Sequence, residues 1–264
     1  MPFYPILSAP GCQGVTTLSN FSPNNWEFRD ESPRFINLTW SENNIWRSKV
    51  VDQLRYGEMR SISMSDVSAQ VGGRVLPLLS LDNAPRPERS ETLENAPSVT
   101  HTPEWRATLG IESADGFTSY QGEIAPFPAQ ASLLSFFPFM QYGAMLENFL
   151  LFLNVEKSAE DRYSMMEIYI ADKPDQLVKS FTIKNNQLNV IPLDDLNIPQ
   201  EALPVVVCRN MSGIPLYFTK SADGKYMSLE HTHPPASSVI HGQRWEAQKW
   251  LKSAWFSEFG QQKA

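Results

Sequence analysis

The chain has 264 residues, with 22 Lys and Arg against 29 Asp and Glu, for a formal net charge of −7 at pH 7. That length holds one large domain or two small ones and buries enough surface to fold without covalent staples. The acidic balance, with a sequence pI ≈ 5.2, argues against a nucleic-acid or anionic-membrane partner: phosphate recognition needs clustered cations, and Arg86 and Arg89 are diluted by Glu88 and Glu91.

The N-terminal stretch MPFYPILSAPGCQG has no basic opening followed by an apolar run, and Pro2, Pro5 and Pro10 interrupt any helix there. A soluble, cytoplasmic protein is expected, with Cys12 and Cys208 as reduced thiols. Arg34 to Trp40, RFINLTW, reads as a strand. Next, IWRSKVVDQLRY reads as a short helix, because Ile45, Trp46, Val50 and Leu54 recur at spacings near three to four. Met59 to Met64 alternates and reads as a strand. Asp82 to Glu104 is polar and proline-rich and reads as a loop or linker. It divides an N-terminal extension, residues 1–81, from residues 105–264.

In the second part, Ala114-Asp115-Gly116 marks a hairpin between WRATLGIES and GFTSYQGEI. The apolar stretch Ala131 to Val155 approaches the length of a membrane span, yet Pro138, Gln141, Glu147 and Asn148 make it two core strands around a turn. Then SMMEIYIA, LVKSFTIK, QLNVIPL, LPVVVCRN, IPLYFTKS and KYMSLEHTH follow, each bounded by Asp, Asn, Gly or Pro. Asp194-Asp195 reads as a turn, and Ser221 to Gly224 folds one strand back on the next. Gln243 to Phe259 has helical spacing and carries tryptophans to the sheet. The expected fold is all-β: an antiparallel β-sandwich or jelly-roll core from about Trp105 to Pro235, with a C-terminal α-helix. No internal repeat is apparent.

Nucleotide-binding and nucleophile-elbow patterns, GxGxxG, GxxxxGK[ST] and GxSxG, are missing. The tripeptides at Asn20, Asn37 and Asn210 match the glycosylation acceptor pattern by chance if the chain is not secreted. The best lead to chemistry is EHTHPP, Glu230 to Pro235. On a strand, His231 and His233 share one face and Glu230 takes the other. His231 and His233 supply two positions of a divalent-metal site and His241 a third. The His-x-His spacing resembles that of cupins, metal-holding β-barrels. The resemblance covers fewer than about twenty residues, and Gly224 lies one residue too far upstream of His231 for the cupin pattern. It implies a metal-dependent enzyme with Glu230 as acid or base.

Aromatic residues are the second lead. With seven Trp and eight Tyr, the chain has material for a platform on which a sugar ring stacks, and Trp105, Tyr120, Phe127 and Tyr142 lie in the least regular segment. Glu123 and Glu230 are the candidate acid/base pair, their separation hidden in the sequence. Three functions follow. The first is non-catalytic binding of a small polar ligand, carbohydrate before others. The second is a cupin-like metal enzyme, and the third is an assembly or scaffold protein whose exposed strand edges and Trp-rich helix dock partners, a homo-oligomer being one form of it.

Overall fold

A computed structural model describes residues 3–21, 31–72, 76–94, 107–129, 131–137, 145–199, 202–231 and 253–260. In chain order the strands are β1 (Tyr4–Pro5), β2 (Gln13–Ser19), β3 (Arg34–Glu42), β4 (Ile45–Leu54) and β5 (Met59–Ser63). A short helix, α1 (Met64–Val71), follows. Next come β6 (Leu78–Asp82), β7 (Arg89–Ser90), β8 (Thr108–Glu112), β9 (Phe117–Gln121), β10 (Leu133–Phe136) and β11 (Leu146–Asn154). The last six are β12 (Tyr163–Ile170), β13 (Lys173–Lys184), β14 (Gln187–Pro192), β15 (Pro204–Cys208), β16 (Ile214–Ser221) and β17 (Met227–His231). Residues 253–258 form a helical turn near the C-terminus. The all-β, sandwich-like expectation holds, and among the described residues no helix is long and apolar enough to cross a membrane.

Two expectations of local structure give way. IWRSKVVDQLRY is strand, because Asn43 and Asn44 both take positive φ (51° and 60°) and turn β3 tightly back into β4. Two consecutive left-handed residues are the signature of the hairpin turn that matches strand twist, and Asn adopts them more readily than most residues. Alternation from Met59 ends at Ser63, where α1 begins: the Asp66 carboxylate accepts from the Ser63 backbone N–H at 2.8 Å and from its hydroxyl at 2.7 Å. Those bonds, and then the Arg60 charge, hold the Asp66 pKa below its ordinary value.

The strands form four sheets. Sheet I has the order β1-β6-β3-β4-β7, sheet II β5-β2-β8-β9, sheet III β14-β11-β16-β17 and sheet IV β10-β15-β12-β13. These orders reveal an internal duplication that the sequence did not announce. Replacing β1, β6, β3 and β4 by β10, β15, β12 and β13 turns sheet I into sheet IV, apart from β7. Replacing β5, β2, β8 and β9 by β14, β11, β16 and β17 turns sheet II into sheet III. The residual sequence signal is Leu-Pro-Leu-Leu-Ser-Leu-Asp-Asn at 76–83 against Leu-Pro-Val-Val-Val-Cys-Arg-Asn at 203–210, and Ser-Ala-Asp-Gly at both 113–116 and 221–224.

Each copy is a two-sheet sandwich, and the copies share a core. On β11, Leu150 and Phe152 join a cluster with Met166, Ile168, Ile183 and Val206 of sheet IV. The alternate residues Phe149, Leu151 and Leu153 join the first copy's cluster, with Ile36, Leu38, Leu79 and Leu109. A strand apolar on both faces belongs in the middle of stacked layers, and FLLFLNV is such a strand. Beyond sheet IV, Leu134, Tyr169, Val205 and Val207 pack with Phe259 of the C-terminal turn. The Asp82 to Glu104 stretch is described as far as Glu94: Asp82 ends β6, Arg89 and Ser90 pair with β4, and Leu93 is buried.

Candidate functional site

The residues singled out from sequence fall into three groups. Trp105, Tyr142, His233 and His241 lie outside the described residues. Tyr120 and His231 are brought together: β9 and β17 run side by side, and the two rings stack with centroids 5.6 Å apart and planes 21° from parallel. His231 is half-buried and shares a strand face with Leu229, which belongs to the first copy's core cluster, whereas Glu230 points to the exposed side. Glu123 is exposed, next to Ile124, which exchanges backbone bonds with Phe3. Phe127 is half-buried against the core, and its N–H donates to the Val155 carbonyl at 2.7 Å. Among the described residues no three His, Cys, Asp or Glu side chains converge as metal ligands would. Asn20 and Asn37, two of the glycosylation matches, are buried and held by hydrogen bonds.

A different place offers an open cavity. On β12, Tyr163, Met165 and Glu167 occupy alternate positions and so share one face of sheet IV. Tyr163 is 61% exposed and Met165 49%. With Ser164, Thr182, Arg209 and Asn210 they line a cavity of about 360 Å³. Strand pairing sets Met165 opposite Thr182 and Tyr163 opposite Lys184, whose ammonium lies 5.9 Å from the Tyr163 ring centre. Arg209 arrives from the end of β15 and stands 3.9 Å from the Glu167 carboxylate. The Tyr169 hydroxyl donates to that carboxylate at 3.1 Å. Burial, and then the neighbouring Glu167 charge, push the Tyr169 phenol above its ordinary pKa.

One side of this cavity abuts the C-terminal turn. Arg209 donates to the carbonyls of Phe259 at 2.7 Å and Phe256 at 3.3 Å, and its guanidinium lies 5.5 Å from the Phe256 ring centre. Trp255 stacks on Phe259 and meets Phe136 edge-on. Arginine suits this task because its planar fork of donors serves two acceptors at once. Arg209 also lines the cavity.

Sequence reading recognised the β12 strand but not its site. The available signal was the i, i+2, i+4 series Tyr163, Met165, Glu167, an exposed aromatic followed by an acid on one face. Arg209 and Thr182 carried none, since strand pairing alone brings them there. No protein-family model, curated protein or solved structure matches the chain.

Proposed function

We propose that the protein is a non-catalytic binder of a small polar ligand, with carbohydrate as the first class, and that the ligand lies on the open face of sheet IV. The observation that carries this reading is Tyr163, an aromatic ring more exposed than buried on a paired strand at the rim of a cavity with hydroxyl, amide and charged groups. A flat ring takes the C–H face of a sugar while Ser164, Thr182, Asn210 and the Glu167–Arg209 pair meet its hydroxyls.

The duplication supports it. By strand register, Asp82 and Asn37 of the first copy correspond to Arg209 and Glu167 of the second. In the first copy the chain's own Arg86 covers this place, donating to Asp82 and Ser80 and lying over the Phe3 ring. In the second copy the corresponding place is the cavity. The cytoplasm remains the proposed compartment, a reading that two free cysteines fit.

A glycan screen followed by calorimetry on the full chain tests the proposal. We expect a hit whose affinity drops about tenfold or more in Tyr163→Ala, an aromatic contact of this kind being worth roughly 1 kcal/mol or more. A screen with no hit, or a hit indifferent to Tyr163→Ala and Arg209→Gln, removes this site. The metal-enzyme alternative rests on His231 with His233 and His241, and elemental analysis of wild type against His231→Ala/His233→Ala decides it. The scaffold alternative is favoured by one feature, the twelve-residue edge strand β13 with Leu177 49% exposed. A large homomeric mass in solution, lost on placing a Lys at Leu177, is its expected outcome.

A further inference from the structure

A second groove lies in the first copy, away from Tyr163. In sheet I, Trp40 of β3 stands opposite Arg47 of β4, and Arg47 stands opposite Arg89 of β7. Directly opposed residues of an antiparallel ladder project to the same side, so an indole and two guanidiniums form a row across three strands. Lys49, opposite Leu38 and two residues from Arg47, extends the same side. The row, with Glu42, Arg86 and Glu88, lines a groove of about 680 Å³. A backbone bond from Ser48 N–H to the Glu88 carbonyl, 3.1 Å, fixes the far wall.

Two donors in this row are buried and make no hydrogen bond. Trp40 is 9% exposed, and its indole N–H, which can only donate, is buried without a hydrogen-bond partner among the described residues. The buried Arg47 Nε is in the same condition, with the nearest carboxylate, Glu42, 3.4 Å away in a contact that does not meet hydrogen-bond geometry. Both atoms are closed off from a ligand oxygen, so the groups that face the groove are the exposed cations beside them, Lys49 and Arg89. Arg86 is neutralised by Asp82 at 2.7 Å. What remains is Arg47, Lys49 and Arg89 against Glu42 and Glu88, a cationic excess on a chain whose net charge is −7.

We propose that this groove binds an anionic sugar, a hexose bearing a carboxylate or a phosphate. The anionic group lies between Arg47 and Arg89, where planar guanidiniums bind oxyanions through paired donors. Glu42 and Glu88 accept from the sugar hydroxyls, which a bare anion lacks. Trp40 is too buried to serve as a stacking platform or as a donor to a ligand, so its part is to floor the groove. This site is separate from the one proposed on sheet IV, and neither requires the other.

The test is calorimetric titration of the full chain with glucuronate, glucose 6-phosphate, glucose and inorganic phosphate. We expect one of the two anionic sugars to bind at least about tenfold tighter than glucose and than inorganic phosphate, as charge-assisted hydrogen bonds imply; which of the two binds identifies the group. Arg89→Gln, at an exposed position, should weaken that binding about tenfold with the fold intact by circular dichroism. Tyr163→Ala should leave it unchanged, so that failure here and failure of the sheet IV site are told apart. Equal binding of glucose, equal binding of inorganic phosphate, no saturation by either anionic sugar, or indifference to Arg89→Gln each overturns the proposal.

Discussion

A buried carboxylate is tolerable only when donors surround it. Asp82, 4% exposed, accepts from the Ser80 hydroxyl at 2.6 Å, the Asn37 amide at 2.8 Å and the Arg86 guanidinium at 2.7 Å. We expect Arg86→Met to lower the unfolding free energy by about 3 kcal/mol, since it leaves the charge buried without its cation. Asp82→Asn/Arg86→Met should recover most of that loss in urea denaturation; a double variant no better than the single one would mean that Arg86 acts through packing on Phe3. Sequence alone set Arg86 against Glu88 and Glu91, because the bend that returns it to Asp82 is a tertiary fact. Tyr4 poses the opposite case. Burial first, then the Glu123 and Asp82 carboxylates, push its phenol from the ordinary 10.0 up to about 12. The folded chain keeps a proton that the unfolded chain releases, so this stability is whole below pH 10 and lost as pH rises through about 12. Tyr4→Phe should flatten that alkaline decline of Tm, and an unchanged decline would assign it to other groups.

At the scale of elements, close approach decides more than propensity. A Cβ on Gly14 of β2 would sit 1.6 Å from the Leu7 carbonyl oxygen, against backbone that has no rotamer to yield. Gly14→Ala should therefore cost about 3 kcal/mol by thermal denaturation, at the upper end of what overpacking does, and a cost under about 0.5 kcal/mol would show that the Leu7 turn can move freely. Strands of the second half were legible because each combines β-branched and aromatic residues with a turn signal at its end, as in Ser221 to Gly224 between β16 and β17. The β3–β4 hairpin was not, although Asn43-Asn44 stood in the text. Its strand, with Ile45, Val50 and Leu54 at helical spacing, satisfied the wrong period, and pairing with both β3 and β7 settled it.

Over the whole molecule, the two copies stand or fall together. Leu151 belongs to the second copy by sequence and to the first copy's core by contact. Leu151→Ala should cost about 2 to 5 kcal/mol while leaving one cooperative unfolding transition by calorimetry; two separated transitions would mean that the shared core does not couple the sandwiches. The duplication escaped sequence reading for a physical reason. Burial preserves which strand positions are apolar, not which apolar residue fills them, so Leu79 can answer to Val206 and Leu81 to Cys208. In these segments the Leu-Pro pairs, Asn83 and Asn210, and the Ser-Ala-Asp-Gly turns kept their identities. The candidate sites were less legible still, since both depend on residues from separate strands meeting in register.

Those two turns also touch. The Ser113 hydroxyl donates to the Gly224 carbonyl at 2.8 Å, and a Cβ on Gly116 would lie 2.2 Å from the same oxygen. β9 and β17, each the last strand of its sheet, thus lie against one another. An open strand edge invites pairing with foreign chains, and in a single sandwich of this design β9 or β17 would be one such edge left bare. Doubling the chain sets one of these edges against the other, so the duplication shields β9 and β17 from the aggregation that an open edge invites.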